Sequence, residues 1–232
     1  MGSSVICIDV WRIKRTSVLR ALLNMARQRR TLRNMPNVTF FKLLGTGSGR
    51  TFTIRDADTT HWVVLTAWNS ITGPAQFAQS NAAAQWNSIA TAHAQLVLEP
   101  LSSKGQWGGY EPFNAHPDPT WNGLTAALTR ANIKVRWWRQ FWKSVPPVAI
   151  DLNNTPGLIT SLGIGEAPVG LQGTFSVWSS NESISNFAIK QQPHRDVIRR
   201  THETGWYKEE LFARFKVIGA TGTYKDVDFD AL

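Results

Sequence analysis

"VVLTAWNSITGPAQFAQ", residues 63–79, and "GTFSVWSSNESISNFAI", residues 173–189, are two versions of one pattern. Each holds an apolar run ending on tryptophan, a polar turn, and an amphipathic segment carrying a phenylalanine. Trp68 matches Trp178 and Phe77 matches Phe187, both at an offset of 110 residues. Upstream, "LLGTG" (43–47) matches "SLGIG" (161–165) at an offset of 118. Downstream, "LVLEPLSSKGQW" (96–107) resembles "RFKVIGATGTY" (214–224). Each match is weak alone, but their common order argues for a duplicated unit, and a repeat has to be read before any motif.

The first copy opens with a strand-like run, "SVICIDVWRI". The helical segment "TSVLRALLNMARQRR" follows, with Thr16 as N-cap and Val18, Leu19, Leu22, Leu23 and Ala26 on one face. "NVTFFKLLG" and "THWVVLTAW" read as strands, "GPAQFAQSNAAAQWNSIATAHA" as a helix with Pro74 in its first turn, and "QLVLEPL" as the closing strand. That order is βαββαβ, the ferredoxin-like motif. The second copy repeats it with "IKVRWWRQFW", a short helix around 145–154, "GLITSLGIG", "GTFSVWSS", a helix over roughly 181–203, and "EELFARFKV". Between them "SSKGQWGGYEPFNAHPDPTWNG" (102–123) has the Gly, Pro, Asn and Asp content of a linker. The expected fold class is α+β: tandem ferredoxin-like repeats forming a dimeric-α/β-barrel-like fold within one chain. The N-terminal repeat covers 1–101, the linker 102–132 and the C-terminal repeat 133–232. Such a barrel covers both faces of each sheet, which suits strands apolar on both sides, such as Trp62-Val63-Val64-Leu65. An apolar ligand would fit between a sheet and its helices, or between the sheets.

Composition narrows the class. A hydrophobic content of 42% with 18% charge excludes a disordered chain. One cysteine excludes a disulfide framework and a multi-cysteine metal site, and Cys7 in "SVICIDVW" reads as a buried hydrophobe. No apolar run reaches the roughly 18–20 residues of a spanning helix, and "RIKR" interrupts any signal-peptide core, so a soluble cytoplasmic protein is expected. No phosphate loop, H-E-x-x-H or G-x-S-x-G elbow occurs; "GTGSGR" (45–50) lacks the residues for one. Eleven tryptophans fit an aromatic core or the lining of a site for a large planar or apolar ligand. The net charge of +9 is unevenly placed: Val10 to Arg55 carries eleven Lys or Arg and no acid. Beyond a merely solvated face, such a block suits nucleic acid, an acidic protein or an anionic membrane surface.

The densest chemistry lies in "HRDVIRRTHETGWYKEELFARFKV" (194–217). Pro193 breaks the preceding helix one residue before His194. On the last strand Phe212, Arg214 and Lys216 share one face. Arg214, flanked by aromatics, needs a partner such as Glu209, Glu210 or a ligand carboxylate.

"GIGEAPVGLQGTFSVW" (163–178), "PHRDVIRRTHETGWYKEELFARF" (193–215), "LTRANI" (128–133) and "LSSKGQWGGYEPF" (101–113) resemble the spheroidene monooxygenase family, the acyclic carotenoid 2-ketolases. The resemblance covers roughly residues 60–224 and is less clear in the basic N-terminal third. It implies a haem-dependent monooxygenase that introduces a keto group at C2 of a linear carotenoid such as spheroidene. Two hydroxylations with dioxygen, fed by a ferredoxin-type electron donor, give a geminal diol that loses water. It also implies haem b, and a fold placed with dimeric α/β barrels. Of the five histidines (His61, His93, His116, His194, His202), His194 in the family-like motif is the expected axial ligand. Arg199, Arg200 and Arg214 are candidates for the haem propionates, with Glu203, Glu209 and Glu210 as competing partners. A bilayer-resident substrate suggests peripheral membrane contact through the basic N-terminal region, aided by Trp11, Trp137, Trp138 and Trp142. The same face would suit an acidic ferredoxin. Two rival readings stand: a haem enzyme of the same barrel with dehydratase or peroxidase chemistry, and a basic nucleic-acid-binding protein.

Overall fold

The computed structural model describes residues 4–47, 57–137, 152, 154–166, 171–190 and 207–232. The first repeat runs β1 (Val5–Ile13), α1 (Val18–Arg33), β2 (Val38–Gly47), β3 (Ala57–Trp68), two short helices α2 (Gly73–Ala78) and α3 (Asn81–Asn87), and β4 (Ala90–Gly105). The second runs β5 (Thr125–Ile133), β6 (Leu158–Gly165), β7 (Leu171–Trp178), α4 (Asn181–Lys190) and β8 (Tyr207–Tyr224), followed by a two-residue β9 (Val227–Asp228). The strand order is β4-β1-β3-β2-β6-β7-β5-β8, and β4 also pairs with β8, so eight strands close into a barrel. Each half has the ferredoxin-like order, and the pairings are antiparallel. The chain is α+β, built as tandem ferredoxin-like repeats closed on each other. Closure removes the free sheet edges that two separate repeats would leave.

Local details repeat with the sequence. Trp68 Nε1 donates to Thr66 Oγ1 and Trp178 Nε1 to Ser176 Oγ, each at 2.8 Å. Asn37 and Gly157 open β2 and β6 in the left-handed region, at φ 65° and 86°. Their carbonyls accept from Asn69 N–H and Ser179 N–H. Val38 pairs with Trp68 as Leu158 pairs with Trp178. This register makes Gly163, not Ser161, the counterpart of Leu43, so the match of 43–47 to 161–165 is out of step. Gly105 ends β4 and Gly222 ends the stretch of β8 paired with it, both at positive φ, where a Cβ would come within 2.1 Å of Glu210 O and His93 O respectively. Only glycine lets the two long strands lie this close at both ends of their seam.

Side chains fill the barrel. Ile6, Ile8, Leu65, Leu128, Phe175 and Phe215 point inward with others of their strands and form one apolar cluster. Trp107 and Phe113 of the connector join it at 1% and 4% exposure, so the segment read as a linker stoppers the barrel. Strand β5 begins at Thr125, inside that segment, because Ala126, Leu128 and Arg130 alternate inward with period two. Of the two places open to an apolar ligand, the space between the sheets is therefore taken.

Four further expectations change. A 3-10 turn at Arg15–Ser17 makes Ser17, not Thr16, the residue before α1. Helix α1 buries Ala21, Asn24, Gln28 and Leu32, while Leu19, Leu22 and Leu23 are 70%, 51% and 42% exposed. The polar pair goes inside because it is satisfied there. Gln28 Nε2 donates to Ala82 O at 2.9 Å and Gln28 Oε1 accepts from Trp86 Nε1 at 2.7 Å, while Asn24 Nδ2 reaches Gln85 O. The 73–94 helix splits where the Ser80 hydroxyl caps α3, and β4 resumes at Ala90, placing His93 in a strand. The strand expected over 133–142 ends at Ile133, followed by a 3-10 turn at Val135–Trp137.

Candidate functional site

The outer face of the first sheet is packed. Trp11 stacks on Trp86 at 5.4 Å and on His93 at 4.8 Å, and meets Phe77 edge-on. Trp62, Trp68, Leu43 and Val64 complete this layer under α1, α2 and α3. Trp11 is fully buried, so it forms no part of a surface aromatic face. Trp137 is half-buried, and Trp138 and Trp142 lie outside the described residues.

The second sheet is built differently on the same register. Counting from Trp68 and Trp178, the places of Trp11, Phe41, Leu43 and Val64 are taken by Ala131, Ser161, Gly163 and Thr174. Ser161, Ser176 and Ala127 form a row across β6, β7 and β5 that ends at Arg214 on β8. Gly163, Thr174 and Thr129 form the next row, ending at Phe212. In these two rows, which make a floor, no side chain between β6 and β5 is larger than threonine; the next row joins Gly165 to Ala131 through Gln172. At one end of the floor stands a small apolar cluster of Leu152, Trp178 and Ile184, with Phe187 packed against it.

Arg214 is half-buried beside the floor, and burial lowers its pKa. Its Nη1 donates to Asn181 Oδ1 at 3.0 Å and Ser185 Oγ at 3.1 Å, both on α4. Glu209, an expected partner, is bound elsewhere, so an amide and a hydroxyl hold Arg214 at the edge of the floor with its charge uncompensated by them. His194, Arg199 and Arg200 lie outside the described residues, as do His202 and Glu203. The other histidines belong to the first repeat or the connector. His61 Nδ1 pairs with Asp58 at 2.6 Å and its ring meets Tyr224 edge-on. His93 bonds Asp9 at 2.8 Å, and His116 is exposed in the connector. Burial, then the neighbouring Asp9, pushes the Cys7 thiol well above its ordinary pKa, so it stays protonated and inert. Among the described residues no three His, Cys, Asp or Glu side chains gather as metal ligands.

These residues fit a flat, anionic cofactor better than a metal ion. A tetrapyrrole requires a floor without protruding side chains and cations near its propionates. The small-residue rows supply the first and Arg214 one of the second.

A second constellation closes one barrel mouth. Arg130, 4% exposed and pointing inward, pairs with Glu209 and lies 3.6 Å from Glu166. Glu166 also accepts from Trp107 Nε1 and from Lys42 Nζ, the latter at 2.8 Å. Glu209 accepts from the Gly108 and Gly109 N–H groups, each at 2.8 Å. Burial alone would raise the Glu209 carboxyl, but the two glycine amides and the Arg130 charge outweigh it and hold its pKa below 4.5. Farther along the connector, the Lys216 ammonium and the Thr120 hydroxyl and N–H keep Asp118 at about 2. This clamp was missed in the sequence. Its signal was an arginine at an inward position of an otherwise apolar strand, in "LTRANI".

Two aldoxime dehydratase structures share this architecture. One, in complex with butyraldoxime, has a TM-score of 0.61 at 10% identity over 93% of this chain and 80% of its own. The other has a TM-score of 0.58 at 11% identity over 93% and 82%. The class is thus the α+β barrel of two ferredoxin-like repeats in one chain. No protein-family model matches the sequence. Relatives do: the spheroidene monooxygenase of Rhodobacter capsulatus is 34% identical over 230 residues, 97% of this chain and 94% of that one. Those of Cereibacter sphaeroides and Rubrivivax gelatinosus are 31% and 28% identical, covering 84% and 82% of this chain and 60% and 73% of their own. The chain belongs to the spheroidene monooxygenase family and is an oxidoreductase. The likeness takes in the basic N-terminal third as well. No helix of the described residues is long and apolar enough to cross a membrane.

Proposed function

We propose that this protein is a haem-dependent monooxygenase that introduces a keto group at C2 of an acyclic, spheroidene-like carotenoid. Family membership supports the carotenoid. The observation that carries the cofactor is the floor of small side chains on the second sheet, where the first sheet has tryptophan, phenylalanine and leucine. The residues that would hold haem b are this floor, His194 for its iron, and Arg199, Arg200 and Arg214 for its propionates. When bound, it supplies dioxygen activation with electrons from a ferredoxin-type donor. The chain's own residues set the surroundings. The filled barrel keeps water and substrate out of the interior, leaving the outer face for the polyene. Arg214, held by Asn181 and Ser185, would meet a propionate carboxylate at the edge of the floor. Two hydroxylations at C2 give a geminal diol, which loses water to leave the ketone.

The test is expression in a host that accumulates spheroidene or lycopene, with pigments analysed by mass and the purified protein by its absorbance. Ketocarotenoids and a Soret band are expected, with the band lost in His194→Ala. Unchanged pigments in a haem-loaded, electron-supplied host would overturn the substrate, and ketolation by a porphyrin-free protein would overturn the cofactor.

A further inference from the structure

We propose that the outward face of α1 docks the protein on an anionic lipid bilayer, with Leu19, Leu22 and Leu23 entering the acyl region and the flanking arginines meeting the phosphates. These leucines are 70%, 51% and 42% exposed, large values for three neighbouring apolar side chains on one helix. The helix does not need them for its own docking, because Asn24 and Gln28 are tied to α3 on the opposite side. The sixteen residues contain no acid, and span about 24 Å at the α-helical rise. The exposed face is apolar in its first two turns and basic in its last two, where Arg27, Arg29, Arg30 and Arg33 are all exposed. Lys14, Arg15 and Arg20 bracket the leucines on the other side, also exposed.

Leucines between two basic clusters match the layering of a bilayer surface, with hydrocarbon below and anionic headgroups around. A second copy of this chain fits worse. An isologous contact through the leucines would bring the same arginines together across the two-fold axis, with no carboxylate on the helix to relieve them. An acidic protein would satisfy the arginines but gives no reason for exposed leucines between them. The proposal stands on the surface alone. The carotenoid reading supplies only its use, since a bilayer-resident polyene must be reached by a protein that visits the surface.

The experiment is flotation of the purified full chain with vesicles of phosphatidylglycerol and phosphatidylcholine, and with phosphatidylcholine alone. Activity is not read, so failure here is separate from failure of the carotenoid assignment. The chain is expected to float with the anionic vesicles and not with the neutral ones. Two variants, Leu19→Gln/Leu22→Gln/Leu23→Gln and Arg27→Gln/Arg29→Gln/Arg30→Gln, are each expected to lose about tenfold or more in partitioning. All six positions are exposed, so unchanged circular dichroism and melting are expected to confirm that the variants fold. Failure of the unaltered chain to float overturns the proposal. So does undiminished flotation of the leucine variant: if that variant also turns a dimer into a monomer, the patch belongs to a second copy. Binding that ignores the leucines and vanishes in about 0.5 M salt likewise overturns it and points to an acidic protein.

Discussion

The outer face of the first sheet presents Trp11, Phe41, Leu43 and Val64 to its helices, and that of the second presents Ala131, Ser161, Gly163 and Thr174. Both stand on the same strand order, the same bulge near the start of the second strand and the same indole–hydroxyl bond. The scaffold therefore does not dictate what covers it. In the first repeat three helices and a tryptophan stack bury the sheet face in one apolar cluster, and the layer serves stability. In the second the equivalent places carry small residues, which suits a ligand that completes the packing. Duplication leaves one half to be packed for stability and the other free to take on a site.

The sharpest way to break this comparison is to give the second face the residues of the first. Ser161→Phe with Gly163→Leu raises the floor under any flat ligand. A variant that still folds by circular dichroism is expected to retain at least about tenfold less porphyrin, since overpacking of a fitted site costs 1–3 kcal/mol or more. Full porphyrin content in that variant would mean that the floor is not the binding surface. The reverse exchange tests the packed side. Trp11→Ala is expected to cost about 3–5 kcal/mol in urea unfolding. Ala131→Gly, at the equivalent place, is expected to cost about 1 kcal/mol. Similar losses at the two positions would show that both faces are load-sharing cores.

The clamp at the barrel mouth should respond next. Glu209→Gln removes a charged partner from buried Arg130 and weakens two amide contacts to Gly108 and Gly109. A loss of about 2 kcal/mol is expected, with faster hydrogen exchange at the two glycine amides. The pH dependence has a fixed sign. A carboxyl held below its ordinary value adds stability that is fully present above about pH 4.5 and disappears as pH falls through the folded value. The unaltered chain should loosen its connector in that acid range, and the Gln variant should lack that part of the response.

The repeat was legible because it rests on spacing. Trp68 and Trp178 sit where a strand ends, and strand ends fix turn lengths, so the offset survives divergence of nearly everything between. Residues that depend on three-dimensional satisfaction were not legible. Helical periodicity assigns Leu19, Leu22 and Leu23 to the core of α1, yet two amides displace them by finding partners on α3. Arg130 looks like a polar break in a strand until Glu166, Glu209 and Trp107 converge on it from three distant parts of the chain. The floor was hidden for a related reason. Ala, Ser, Thr and Gly carry no chemical signature, and their meaning appears only when strand register sets them against the larger residues of the other half.

The closest comparison between the halves is a matched pair of hydroxyls. Thr66 and Ser176 are both buried and each accepts the indole N–H two residues on. Thr66→Val and Ser176→Ala each leave a buried donor unpaired, so a loss of about 1–2 kcal/mol is expected from both in urea unfolding. If the hydroxyls serve only the indoles, the two losses agree and nothing else changes. Ser176, however, also lies in the first row of the floor, beside Ala127 and Ser161, whereas Thr66 lies under packed helices. Removing its hydroxyl should therefore also shift the absorbance of a bound porphyrin, and Thr66→Val should leave it unmoved. Equal stability losses with a spectral shift in only one variant would separate what the repeats share from what only the second adds; a shift in both, or in neither, would remove the floor from the account.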